Sequence, residues 1–195
     1  MNHKIETHPT APFLPQNAKV LMLGSFPPPK VRWKMDFYYP NYNNDMWRIM
    51  GSVFYHNKHQ FVDVEHKTFK QSEIEQFLHN KGIAISDTAY KIIRLQNNAS
   101  DKFLQVVEWQ NIAQLLEQIP QCQAIITTGE KATEELLQQY APESEMLKVG
   151  QSVELNIAQR KIQLHRLPSS SRAYPLAIDK KAEEYAQVLK MYCNI

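Results

Sequence analysis

The sequence predicts an α/β fold: a three-layer α/β/α sandwich around a central, mostly parallel four-stranded sheet. Three observations carry that prediction. Short apolar runs recur at wide intervals, helical patterns stand between them, and each run ends at or just before a turn residue. The runs are 19–24 (KVLMLG), 82–87 (GIAISD), 123–129 (QAIITTG) and 161–167 (KIQLHRL). Each is rich in Val, Ile or Leu and only about six residues long, which suits strands buried on both faces of a parallel sheet.

The helical patterns follow in order. Residues 72–81 (SEIEQFLHNK) open on Ser72 with Glu75 three positions later, a capping-box pattern, and Gly82 closes the segment. Residues 101–118 place Phe103, Leu104, Val107, Ile112, Leu115 and Leu116 at mixed three- and four-residue spacings ahead of Pro120, which predicts one helix. Segments 130–140 and 178–192 are amphipathic and predict two more. Residues 153–157 (VELNI) lead through 158–160 into the last run, where a hairpin would give that strand an antiparallel neighbour. Strands alternating with helices imply right-handed crossovers. With no internal repeat and no linker, one domain over 1–195 is expected.

Composition bounds the rest. The chain has 195 residues, of which 43% are hydrophobic, enough for one real core. Five glycines and eleven prolines exclude collagen-like, linker-rich and low-complexity architectures. No apolar run approaches the roughly 18–20 residues of a membrane span, and residues 1–10 lack the apolar core of a secretory signal, so a cytoplasmic location is expected. Cys122 and Cys193 lie far apart and are expected to be buried free thiols. His56 and His59 have helical spacing but no third partner, so no metal site is expected, and the chemistry read below needs no cofactor. His165, alternating along a strand, is expected to be a partly buried, hydrogen-bonded core residue. A net charge of +2 does not by itself imply nucleic acid. Its distribution says more: Lys30, Arg32, Lys34 and Arg48 gather early, and Arg160, Lys161, Arg166 and Arg172 late, with acids concentrated between.

In such sheets ligands bind beyond the carboxyl ends of the strands, so the loops there hold the chemistry. After the first strand comes Gly24-Ser25-Phe26-Pro27-Pro28-Pro29, then a basic, aromatic stretch to Phe37-Tyr38-Tyr39-Pro40, then Asn41-Tyr42-Asn43-Asn44-Asp45-Met46-Trp47. Loops this long are usually functional. Its rings either pack down on the sheet or stack a planar ligand beside cations that grip phosphate. Asn44 or Asp45 stands where a helix begins, as an N-cap or as a group holding water; Asp45 would be a base if it faced the pocket. The last strand ends in Leu167-Pro168-Ser169-Ser170-Ser171-Arg172, hydroxyls and a cation that suit a phosphodiester or, alternatively, a turn. No Gly-x-Ser-x-Gly elbow is present, and Thr127-Thr128-Gly129-Glu130-Lys131-Ala132 lacks the glycine spacing of a Walker loop.

These residues resemble a known family. Gly24-Ser25-Phe26-Pro27, Phe37-Tyr38-Tyr39 and Asn44-x-x-Trp47 early, with Leu167-Pro168-Ser169-Ser170-Ser171 late, resemble the two motifs of the uracil-DNA glycosylase superfamily. The pattern is most similar to its hypoxanthine-DNA (deoxyinosine) glycosylase branch, whose motifs read roughly G-S-x-P-G, then Y-Y-x-H-P-x-N-x-F-W, and L-P-S-T-S. The resemblance spans nearly the whole chain, with Ser86-Asp87, Arg94 with Ser100-Asp101, and Gly129-x-Lys131-Ala132 similar to the branch's intermediate segments. Pro28 replaces the motif glycine, Asn41-Tyr42 the His-Pro pair and Met46 the Phe, while Arg172 stands where proline is common.

The resemblance implies a monofunctional DNA glycosylase. Such an enzyme flips a deaminated base, uracil or hypoxanthine, out of DNA and hydrolyses its N-glycosidic bond in base-excision repair, as a monomer without metal or cofactor. Asn44 would position the attacking water, with Asp45 as the neighbouring carboxylate. Gly24, Ser25, Phe26, Pro27, Tyr38, Tyr39, Ser86 and Asp87 would surround the base, and one ring of Phe37, Tyr38 or Tyr39 would stack on it. Ser169, Ser170, Ser171, Arg172 and Lys131 would meet the DNA. The alternative is a catalytically silent DNA- or nucleotide-binding module of the same fold.

Overall fold

The computed structural model describes residues 4–95 and 103–194, so the Ser100-Asp101 pair lies outside the described residues. The elements run β1 (Ile5–Thr7), β2 (Val20–Gly24), α1 (Met46–Tyr55), β3 (Val62–Asp63), β4 (Thr68–Phe69), α2 (Gln71–Lys81), β5 (Ile83–Asp87) and β6 (Ala89–Arg94). They continue with β7 (Leu104–Trp109), α3 (Ile112–Gln118), β8 (Ala124–Thr128), α4 (Glu130–Tyr140), β9 (Ser152–Ile157), β10 (Arg160–Leu167) and α5 (Ile178–Tyr192).

The central sheet has five strands in the order β5-β2-β8-β10-β9. Every residue of β2, β5 and β8 is buried, as the continuous apolar runs require. Side-chain alternation divides each strand between two cores. Val20, Met22, Ile83, Ile85 and Ile126 pack on one face with residues of α1, α2 and α5. Leu21, Leu23, Ala84 and Ile125 pack on the other with residues of α3 and α4. The result is the expected helix–sheet–helix sandwich.

The strand count departs from the expected four. The fifth strand, β9, pairs antiparallel with β10, from Ile157 against Arg160 to Ser152 against His165. Ala158 and Gln159 between them have φ of 49° and 61°, the two left-handed residues of a type I′ hairpin turn. This is the hairpin expected through 158–160, with Ala158 and Gln159 in place of the usual Asn-Gly.

A second departure is larger. The expected helix over 101–118 is a strand, β7, followed by the shorter α3. Val106 and Val107 are β-branched and suit a strand, and β7 pairs antiparallel with β6, which pairs with β1, in a separate three-stranded sheet. The helix starts only after Asn111, whose side chain accepts from the Gln114 N–H. The capping box expected at Ser72 and Glu75 is also absent: α2 starts one residue earlier, after Lys70, and Gln71 Nε2 donates to Glu75 Oε1 at 2.7 Å. Gly82 does end α2, with φ of +66°, where an added Cβ would lie 2.7 Å from the Asn17 carbonyl.

Cys122 and Cys193 are buried free thiols, each pushed up to about 11 by burial. His165 is buried, and its Nε2 lies 2.8 Å from the Tyr192 hydroxyl. Among the described residues no helix is long and apolar enough to cross a membrane.

Candidate active site

Parallel pairing brings four strand ends to one edge of the sheet: Gly24 lies beside Asp87, Leu23 beside Thr127, and Leu167 beside Thr128. A cavity of about 430 Å³ opens there. This is the edge where α/β sheets bind ligands. The cavity is lined by Gly24, Ser25, Phe26, Pro27, Tyr38, Tyr39, Asn44, Asp87, Ser169, Ser170 and Ser171 from the loops singled out in the sequence. His8, Thr10, Arg32, Asn41, Asn43 and Thr128 line it as well.

The aromatic loop is held from several sides. Tyr38 is buried, its backbone carbonyl accepting from the Trp47 indole N–H at 3.1 Å and its hydroxyl donating to the Ala11 carbonyl at 3.2 Å. Burial, with the Asp87 carboxylate second, pushes its phenol far above the ordinary range, so Tyr38 is neutral. Tyr39 adopts φ of 51°, a left-handed conformation rare for a bulky residue, and its hydroxyl sits 2.8 Å from Thr128 Oγ1 across the cavity edge. Of the two roles that the sequence left open, packing is present in the core, and Tyr38 and Tyr39 also line the cavity. Phe37 packs against Phe13 and Trp47 in the core, while the loop still faces the cavity.

Asn44 is fixed by the start of α1. Its Oδ1 accepts from the Met46 N–H at 2.8 Å, which settles which amide atom is oxygen and locks the side chain. A carbonyl oxygen has a second lone pair, so this hydrogen bond leaves room for one further donor such as water. Arg48 donates to the Tyr42 and Asn44 carbonyls at 2.9 and 3.1 Å, bracing the same turn.

Asp45 sits differently. It is the N-cap residue of α1 but makes no side-chain cap, and it does not line the cavity. Its Oδ1 accepts from Arg172 Nε at 2.9 Å, and its Oδ2 lies 3.7 Å from Lys181 Nζ. The late loop is joined to this segment by backbone too: Asp45 N–H donates to the Ser170 carbonyl at 2.9 Å, and Asn44 and Ser171 form an isolated antiparallel bridge. Residues 43–45 and 169–172 thus behave as one unit at the cavity rim.

The remaining expected residues fall outside the cavity wall. Ser86 is buried beneath it, its hydroxyl turned to the Asp87 carbonyl. Lys131 lies 3.4 Å from Glu135 and 3.6 Å from Glu134 on its own helix. Arg172 is half exposed and anchored on Asp45. His8 is among the lining residues that sequence reading missed: it forms part of the cavity wall and its Nε2 lies 2.8 Å from Asp87 Oδ2. Nothing local marks it, since it follows a short edge strand and meets Asp87 across 79 positions. Among the described residues no three His, Cys, Asp or Glu side chains gather as a metal site requires.

No family model and no curated protein matches the sequence. Among solved structures the chain is similar to the solution structure of a putative uracil DNA glycosylase from Methanosarcina acetivorans. The two are 23% identical with a TM-score of 0.63, over 97% of this chain and 99% of that one. At that identity the likeness shows a shared fold.

Proposed function

We propose that the chain is a monofunctional DNA glycosylase that takes a deaminated base, uracil or hypoxanthine, out of the duplex and hydrolyses its N-glycosidic bond. The observation that carries this reading is Asn44, whose carbonyl oxygen is oriented by Met46 at the rim of a cavity of about 430 Å³, which has room for a flipped base. The fold shared with a putative uracil DNA glycosylase supports the same reading.

The chemistry asks for little beyond geometry and charge. The C1′–N bond breaks with its electron pair on the base, the sugar gains cationic character, and a water oxygen bonds C1′ while its proton goes to the departing base. An amide is not a proton acceptor at neutral pH, so Asn44 orients that water rather than deprotonating it. Backbone N–H groups near Ser25 and Phe26 would stabilise a base carbonyl, each donor contributing about 3 kcal/mol to the transition state. Tyr38 and Phe26 bound the base, and the hydroxyls of Ser169 to Ser171 with Arg172 meet the phosphates. Asp45, engaged by two cations, serves the scaffold.

The test is strand scission after alkali on labelled duplexes carrying uracil, hypoxanthine, xanthine or a G·T mismatch. Excision of a deaminated base is the expected result. Binding of every duplex with excision of none contradicts the reading and favours a silent DNA-binding module.

A further inference from the structure

A second cavity, of about 290 Å³, adjoins the first and has no part in the scheme above. Phe26, Pro27 and Pro28 line both, so one layer of residues separates them. One bank is the loop after β2, with Pro29, Lys30 and Trp33; the other is β1 and its flanks, residues 4–7 with Pro9. The two banks are tied together. Arg94 on β6 donates to Glu6 at 3.1 Å and to the Pro27 carbonyl at 3.0 Å, and the Trp33 indole N–H donates to the Pro28 carbonyl at 2.8 Å. The pocket is therefore preformed, as small-ligand sites usually are.

Its lining combines ring surfaces with open backbone. Phe26, Trp33 and the prolines supply the rings, and Lys30 Nζ lies 3.9 Å from the Trp33 ring centroid. β1 supplies the backbone. It pairs only with β6, Glu6 standing against Ile92, and the His8 N–H donates to the Tyr90 carbonyl two positions on. Bonded and non-bonded positions alternate along an antiparallel ladder, so Ile5 and Thr7 turn their N–H and C=O groups away from β6. Both residues are exposed and both line the pocket. Charge there favours an anion. Glu6, the one carboxylate of the lining, is engaged by Arg94; Lys30 is shared with Asp36, and Lys4 makes no ion pair among the described residues.

We propose that this pocket receives the base of the nucleotide next to the flipped one on the same strand. The proposal rests on the glycosylase reading and adds a preferred substrate class to it: a lesion whose neighbour is unpaired, as in single-stranded DNA. An unpaired base offers a π-face to Trp33 and the prolines, and its polar edge matches the outward groups of Ile5 and Thr7. In a duplex that face is stacked and that edge is paired. Lys4 and Lys30 supply cations for the adjoining phosphate. An open edge strand also suits an extended peptide, but the wall shared with the first cavity favours a second nucleotide of one strand.

Affinity for single strands tests this without turnover. The probe is a single-stranded oligonucleotide with 2′-fluoro-deoxyuridine at the lesion, a nucleoside that resists hydrolysis, and with either neighbour present as a base or as an abasic sugar. Deleting the neighbouring base on one side is expected to lower wild-type affinity about 5- to 100-fold, the scale of one stacked base. In Trp33→Ala the same deletion should cost under about twofold. Equal losses in both chains would overturn the proposal, and no loss in either would overturn it and leave the edge of β1 to a peptide. NMR of the wild-type chain needs no folded variant. The Trp33 indole N–H resonance is expected to shift when the probe with the neighbouring base binds and to stay in place with the abasic neighbour; the same shift with both would overturn the proposal. A wild-type chain that excises uracil from single strands without any neighbour effect overturns the proposal and keeps the glycosylase reading. One that excises nothing yet shows the neighbour effect contradicts that reading and supports the pocket as a nucleotide site.

Discussion

Arg172 Nε donates to Asp45 Oδ1 at 2.9 Å, joining the loop after the last parallel strand to the start of α1 across 127 positions of sequence. Lys181 of α5 completes the arrangement from below, 3.7 Å from the second carboxylate oxygen and donating to the Ser171 carbonyl at 2.8 Å. The serines that would meet phosphate and the asparagine that would hold water are therefore tied to one another through shared hydrogen bonds and ion pairs.

Lys181 is the buried half of that cluster, its side chain 1% exposed and its ammonium pushed below the ordinary lysine range by burial. Lys181→Met removes a charge but leaves Asp45 buried beside a half-exposed arginine. A loss of about 3 kcal/mol is expected, as for other buried pairs broken from one side. Urea denaturation measures it, and a loss below about 1 kcal/mol would mean that Arg172 alone satisfies Asp45.

Arg172 has the outer position. Arg172→Ala is expected to weaken binding to duplex DNA and to reduce the slope of log affinity against log salt by about one. Titrations at several salt concentrations measure both; an unchanged slope would place the phosphates elsewhere.

Gly24 ends β2 directly under Asp87. Gly24→Ala forces that carboxylate to shift, at a cost of about 1–3 kcal/mol for overpacking. Excision should fall well beyond what the change in melting temperature explains. Wild-type excision in a folded Gly24→Ala protein would remove Asp87 from the account.

Burial holds the His165 imidazole below its ordinary pKa of 6.5. The unfolded chain therefore takes up that proton first as the solution is acidified. The contribution to stability is full above about pH 6.5, declines as pH falls below it, and levels off once the folded pKa is passed. His165→Gln should show a shallower decline over that window when chemical denaturation is repeated across pH; identical profiles would contradict the assignment of the effect to His165.

Much of the layered core was legible because burial on both faces writes itself as unbroken apolar runs: Val20 to Leu23, Ile83 to Ile85 and Ala124 to Ile126 announce their strands directly. The three-stranded side sheet was not, because Leu104 to Trp109 is half exposed and its apolar residues fit a helical period as well as a strand. Within the cavity, Asn44, Tyr39 and Ser169 to Ser171 were found since they follow strand ends. Which of Asn44 and Asp45 faces inward was decided by Arg172 and Lys181, partners far away in sequence. His8 escaped for the same reason, its partner Asp87 being supplied by the fold rather than by any neighbour.

Asn44 carries the central claim, and single-turnover excision by wild type and Asn44→Ala, with duplex affinity measured alongside, tests it most directly. The account predicts affinity within about threefold of wild type and excision at least about a hundredfold slower, because only the orientation of water is lost. Full-rate excision by Asn44→Ala would contradict it and return the search for the water-holding group to the rest of the cavity wall.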